Sequence, residues 1–130
     1  MTTKTKGELT EGIILAALLR CGYSVALPFG DNQRYDLIVD DGKRLLRAQC
    51  KTGQLRKGRI NFKTVSMNGR SGVRRSYHGQ ADIFLVYCPD NEKVYRIPVR
   101  LSGRSMLTLR IAPLGRGASP SAINWARRFD

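Results

Sequence analysis

The chain has 130 residues, 42% of them hydrophobic, which is enough apolar material for one core and excludes wholesale disorder. Its 23 Lys and Arg against 10 Asp and Glu give a net charge of +13, a balance that points to a polyanionic partner and first of all to nucleic acid. Cys21, Cys50 and Cys88 are odd in number, widely spaced and without a C-x-x-C pair, which argues against a disulfide framework or a zinc site and for reduced thiols; a single histidine, His78, removes His-rich metal chemistry.

In chain order, Thr5 with Glu8 fits a T-x-x-E capping box, Leu9, Ile13, Ala16 and Ala17 keep helical spacing, and Gly22 supplies a stop. The spacing predicts a helix over residues 5–21. Its apolar run, Ile13 to Leu19, is well short of the ~20 residues that span a bilayer. Glu8 and Glu11 ahead of that run are unlike the basic start of an export signal. The expectation is a cytoplasmic protein without a membrane partner.

Tyr23 to Leu27 reads as a strand, Pro28 to Arg34 as a polar loop, and Tyr35 to Asp40 as a second strand. Asp41-Gly42 is a two-residue hairpin signal, with Lys43 to Lys51 as the returning strand. That turn pairs Asp40 with Lys43 and Asp36 with Arg47. Residues directly opposed share a face, as do alternate residues along a strand. Asp36, Arg47, Gln49 and Lys51 therefore fall on one face, and Leu46, Ala48 and Cys50 on the other.

Arg59 to Val65 is a further strand, and Ser66 to Gly79 a loop rich in Gly, Ser and Arg. Asp82 to Cys88 is an apolar run suited to a buried strand, opened by an aspartate placed to cap it. Lys93 to Val99 and Met106 to Ala112 complete the strands. Pro113 to Pro120 is a loop, and Ser121 to Phe129 a short closing helix anchored by Trp125. The pattern predicts one α/β domain over residues 1–130, a mixed β-sheet flanked by helices.

Asp36, followed thirteen residues later by Gln49-x-Lys51, is the constellation best suited to carry chemistry. Phosphodiester hydrolysis needs a divalent cation at the phosphate, an activated water and positive charge near the developing negative charge. Carboxylate and amide oxygens suit a hard cation such as Mg²⁺. A lysine two residues along the same strand face can orient the water, and Glu11 on the first helix adds a carboxylate. On the same residues, an Asp and a Lys on the solvent face of a hairpin are also commonplace.

Between Asp41 and Asp82 the chain carries eleven Lys and Arg and no acidic residue. Arg56, Lys57, Arg59, Asn61, Lys63, Arg70, Arg74 and Arg75 are the candidate DNA contacts. Basic side chains supply salt-dependent backbone affinity, while Arg and Asn can read base edges. This segment is expected to contain a β-element that lies along a DNA groove.

The order of a helix with Glu11, a strand with Asp36, a hairpin and Q-x-K resembles the PD-(D/E)XK nuclease superfamily. K-G-x-x-x-E at Lys6 to Glu11, then Asp36, then a short hairpin into Q-x-K, is also similar to the layout of archaeal Holliday junction resolvases. R-Y-D-L-I-V-D at Arg34 to Asp40, Q-C-K-T-G at Gln49 to Gly53, R-R-S-Y-H-G-Q-A-D at Arg74 to Asp82 and F-L-V-Y-C-P at Phe84 to Pro89 more closely resemble the group I intron-encoded homing endonucleases of the PD-(D/E)XK type. The resemblance implies a restriction-endonuclease-like core and a metal-dependent, sequence-specific endonuclease acting on double-stranded DNA. It implies Asp36, Gln49 and Glu11 as ligands of Mg²⁺, with Lys51 positioning the nucleophile. Gln49 departs from the Asp or Glu of the wider superfamily, and Tyr35 replaces the motif proline. A duplex needs two cuts, so a homodimer or homotetramer is expected. The alternatives are a junction-resolving or repair nuclease, and a catalytically degenerate DNA-binding module.

Overall fold

Residues Thr3–Arg20 form helix α1 in the computed structural model of the chain. The structure describes residues 1–30, 32–67, 74–102, 106–110 and 124–125, of which 67, 74, 109, 110, 124 and 125 are described by backbone alone. The helix starts earlier than the T-x-x-E pattern predicts. Thr2 is the cap, its hydroxyl accepting the Thr5 N–H at 3.1 Å and sharing a second hydrogen bond with the Thr5 hydroxyl at 2.9 Å. Thr5 is thus spent inside the first turn, and Glu8 has no capping role. The predicted stop holds: Gly22, at φ +87°, donates to Leu19 O while Tyr23 donates to Leu18 O, closing the helix in a Schellman motif.

Eleven strands follow among the described residues. They are β1 Ser24–Ala26, β2 Leu37–Asp40, β3 Leu45–Thr52, β4 Gln54–Arg56, β5 Arg59–Lys63 and β6 Val65–Met67. After these come β7 Arg74–Ser76, β8 Ile83–Cys88, β9 Lys93–Pro98, β10 Met106–Arg110 and β11 Asn124–Trp125. The main sheet runs β1-β2-β3-β8-β9, with β3 and β8 parallel and the other neighbours antiparallel, as the mixed-sheet reading requires.

One face of this sheet packs on α1. Ile14 and Leu18, one turn apart, meet Leu37, Val39, Leu46, Ala48, Ile83 and Leu85. The other face is covered by a second, four-stranded sheet, β11-β10-β5-β4. Phe84, Val86, Cys88, Tyr95 and Ile97 pack there against Ile60, Phe62 and Leu107. The closing helix is corrected at its centre: Asn124–Trp125 is a short strand parallel to β10, and the rest of Ser121 to Phe129 lies outside the described residues, as do Pro113 to Pro120 and the Trp125 side chain. No helix of the described residues is long and apolar enough to cross a membrane.

The β2–β3 hairpin differs from the two-residue prediction. Asp40 pairs with Leu45 and Leu37 with Ala48, leaving a four-residue turn. The reason is local. The Asp41 carboxylate accepts the N–H groups of Lys43 at 2.9 Å and Arg44 at 2.7 Å, and Asp41 N–H donates to Arg44 O. This side-chain turn stabilises a longer loop than Asp-Gly alone signals. The register shift is even, two residues, so every side chain paired in the ladder keeps its predicted face. Two further corrections concern the basic segment. The strand predicted over residues 59–65 breaks at Thr64, and the predicted loop contains the antiparallel pair β6–β7. Lys57 and Gly58, at φ 50° and 73°, form a tight turn joining β4 to β5, with Arg56 opposite Arg59.

Candidate active site

Asp36 ends the β2–β3 ladder. Its N–H donates to Ala48 O at 2.8 Å, and its carboxylate accepts the Cys50 N–H at 2.9 Å. Asp36 thereby sits beside β3 at the level of Gln49 and Lys51, both half-buried on the face turned toward the second sheet. Glu11 is brought in from the helix. Its neighbour Thr10 is buried and hydrogen-bonds Thr52, the residue after Lys51, at 2.7 Å. Glu11 and Asp36 line one cleft of about 330 Å³ together with Leu27, Pro28, Gly30, Gln33 and Tyr35.

The electrostatics match this crowding. Burial pushes the Asp36 carboxyl up, against the opposing pull of the Cys50 N–H and the Lys51 charge. Glu11 is also pushed up, first by burial and then by the charge of Asp36. The Cys50 thiol is driven far up by burial and by both carboxylates, so it is a packing residue rather than a nucleophile. All three cysteines are free.

Among the described residues no three His, Cys, Asp or Glu side chains form a ready-made metal cage. The set present is two carboxylates with the Gln49 amide. Hard oxygens, with negative charge held at a desolvation cost, fit a hard divalent cation.

Asp82 is structural. Its carboxylate accepts the Arg47 backbone N–H at 2.8 Å and pairs with the Arg47 guanidinium at 3.1 Å, fastening β3 to the start of β8. His78 Nε2 lies 3.1 Å from both the Ser102 carbonyl and hydroxyl oxygens, a clasp between two loops.

The candidate DNA contacts divide between two places. Arg56, Lys57, Arg59 and Lys63 are exposed on β4, the turn after it and β5, with Ile60 and Phe62 of β5 buried between them. Asn61, opposite Gln54, accepts the Thr108 hydroxyl at 2.6 Å on the same outer face. Arg56 and Arg59 are directly opposed, a like-charge pair that disfavours the empty sheet and favours a polyanion over it. Arg75 is exposed on β7, Arg74 is described by backbone alone, and Arg70 lies outside the described residues.

From the sequence Tyr77 reads as a packing or solvated residue beside the basic loop, and neither Arg34 nor Gln80 is marked as a site residue, although all three fall within the segments R-Y-D and R-R-S-Y-H-G-Q-A-D. Arg34 Nε donates to Gln80 Oε1 at 2.8 Å, and its guanidinium lies 4.3 Å from the centre of the Tyr77 ring. Lys51 Nζ donates to the Tyr77 hydroxyl at 3.2 Å.

The family model described as PD-(D/E)XK endonuclease matches residues 1–130. The chain belongs to the PD-(D/E)XK endonuclease family. Its fold is restriction-endonuclease-like, with DNA as the substrate class. Nucleases of this family generally use divalent metal ions. Among solved structures it is similar to a bacterial homing endonuclease, I-Ssp6803I, at 26% identity and a TM-score of 0.75, over 94% of this chain and 87% of that one. No curated protein matches the sequence.

Proposed function

We propose that this PD-(D/E)XK endonuclease is a sequence-specific, Mg²⁺-dependent enzyme of the homing type that cuts double-stranded DNA. The observation that carries the proposal is the shared cleft of Glu11 and Asp36, two carboxylates raised by burial beside the Lys51 ammonium. Asp36, Gln49 and Glu11 would hold Mg²⁺, which when bound supplies positive charge at the scissile phosphate and acidifies water. Lys51 orients the attacking water and meets negative charge that grows on the phosphate as the P–O bond breaks. The exposed cations of β4 and β5 grip the DNA backbone, and Asn61 lies among them as a group able to read a base edge. Support for the homing type comes from the similarity to the bacterial homing endonuclease. Two cuts in a duplex call for two copies of this site, so the working form is a homodimer or homotetramer.

The test is cleavage of supercoiled and linear DNA carrying candidate intron-insertion sites, with and without Mg²⁺, beside Asp36→Ala and Lys51→Ala. Mg²⁺-dependent cutting lost in both variants supports the assignment. Cutting that survives both moves the chemistry elsewhere. A neutral Gln49 favours a second reading, a DNA-binding module that has lost its chemistry; binding without cutting on every substrate, four-way junctions included, would select it.

A further inference from the structure

Tyr77 is a buried residue, 4% exposed, whose ring and hydroxyl both meet cations. Lys51 Nζ lies 4.8 Å from the ring centre and 3.2 Å from the hydroxyl. The ring is held on other sides as well. Phe84 packs edge-on to it at 5.7 Å with an interplanar angle of 89°. Arg34 stacks its guanidinium 4.3 Å from the ring centre. Arg34 is in turn fixed: it donates to Gln80 Oε1 at 2.8 Å, to the carbonyls of Arg75 at 3.2 Å and Ser76 at 2.9 Å, and to the Ser66 hydroxyl. Tyr77 O accepts the N–H groups of Gln80 and Ala81, which closes the turn around the ring.

We infer that Tyr77 is a positioning residue for Lys51, and that Arg34 fixes Tyr77 and ties the β6–β7 hairpin to the reacting centre. The inference rests on the reading of Lys51 as the residue that orients the nucleophile. A lysine ammonium is a point charge on four rotatable bonds, so its aim must come from its neighbours. The Tyr77 hydroxyl accepts one of its three hydrogens, and the ring face attracts the same charge. Arg34 lies two residues before Asp36. One short segment thus sets the carboxylate on one side of the site and braces the aromatic ring on the other. Ser66 of β6 and the backbone of Arg75 and Ser76 in β7 hang on the same guanidinium. A basic hairpin displaced by DNA therefore pulls on the group that aims Lys51.

The test uses full-length protein and a duplex that the wild type cuts. Tyr77→Phe keeps the ring, its contact with Phe84 and its stacking on Arg34, and removes only the hydroxyl. Its single-turnover rate at saturating DNA and Mg²⁺ is expected to fall roughly ten- to a hundredfold, as misaimed groups do, with DNA affinity unchanged. On a Lys51→Ala background the same substitution is expected to cost nothing further in residual rate, because the pathway through Lys51 is already gone. Arg34→Ala is expected to lose DNA affinity and rate together. A Tyr77→Phe rate equal to wild type, while Lys51→Ala cuts only at a small residual rate, overturns the inference and leaves the nuclease assignment standing. Effects of Tyr77→Phe and Lys51→Ala that multiply overturn it too. A wild type that cuts no DNA sinks the nuclease reading and the inference with it. Should Tyr77→Phe fail to fold, the ε-methylene protons of Lys51 decide the matter in the native protein. They are expected to show nuclear Overhauser contacts with the Tyr77 ring protons, and their absence overturns the inference.

Discussion

The Asp36 carboxylate accepts the backbone N–H of Cys50, the residue between Gln49 and Lys51, at 2.9 Å. A hydrogen bond of this kind ties the placement of a charged group to the strand that carries its partners. Moving Asp36 means breaking the edge of the β2–β3 ladder. It also separates the geometric role of Asp36 from its electrostatic one, because an asparagine oxygen can accept the same N–H.

Asp36→Asn is therefore predicted to preserve the site's geometry and remove its charge. Burial raises the folded-state pKa of Asp36, so the folded chain holds a proton more tightly than the unfolded chain. The sign follows: metal-free stability falls as pH rises from the ordinary carboxylate range through the raised value. At neutral pH the ionised group is a cost, and removing it also relieves Glu11. The variant is expected to melt several degrees above wild type without divalent ions, to gain little on adding Mg²⁺, and to cut at least about a hundredfold more slowly. Thermal melts with and without Mg²⁺, beside a cleavage assay, check all three. A metal-free melting temperature below wild type would show that the charge is already compensated inside the protein.

Gln49→Glu addresses the departure from the superfamily pattern. A third carboxylate on the site face strengthens a hard-cation site, since carboxylates bind such ions more tightly than amides. It also places like charge near Asp36 and Glu11. The expected outcome is a lower Mg²⁺ concentration for half-maximal cutting, by about tenfold or more, together with a lower metal-free melting temperature. An unchanged Mg²⁺ requirement would remove Gln49 from the ligand set.

Much of this arrangement was legible in the sequence because it depends on parity. The β2–β3 turn is longer than Asp-Gly predicts, yet a shift of two residues returns each side chain to the same face. Gln49 and Lys51 therefore share their predicted face although the register differs, while Asp36 lies just beyond the ladder and joins it through the Cys50 N–H. Gly22 was legible because its φ of +87° suits glycine above all. The helix start was not, since Thr5 with Glu8 matches a capping box and Thr2, the observed cap, has no Glu or Gln three residues on. The turn at Lys57-Gly58 was hidden because a lysine at positive φ leaves no compositional signal. The Arg34–Tyr77–Lys51 cluster joins residues far apart in the chain, and no local period records such contacts.

Gly53 follows the site strand directly, and its N–H donates to Tyr87 O at 2.8 Å. A Cβ at this position would stand 2.6 Å from Ile60 Cγ2 and 3.0 Å from Val86 Cγ1. Both neighbours are fully buried where the two sheets meet, so neither can swing away. Gly53→Ala is predicted to destabilise the protein by about 1–3 kcal/mol through overpacking. Urea unfolding measures this, and a variant as stable as wild type would mean that the sheets separate at little cost.

Asp82 provides the opposite test, a carboxylate near the site whose work is structural. The Arg47 side chain, followed by its backbone N–H and charge, pulls the Asp82 carboxyl below its usual range. Stability from this pair is therefore present at neutral pH and lost as pH falls through the lowered folded-state value. Both side chains are more than a third exposed, at 38% and 36%, so solvent screening limits the effect. Asp82→Ala is predicted to cost about 1 kcal/mol near neutral pH, and less in acid, where the wild-type carboxylate is itself protonated. The Mg²⁺ concentration for half-maximal cutting should stay at the wild-type value, because Asp82 is engaged with β3 and is not part of the Glu11–Asp36 cleft. A raised Mg²⁺ requirement, in protein that melts as the wild type does, would instead bring Asp82 into the metal site.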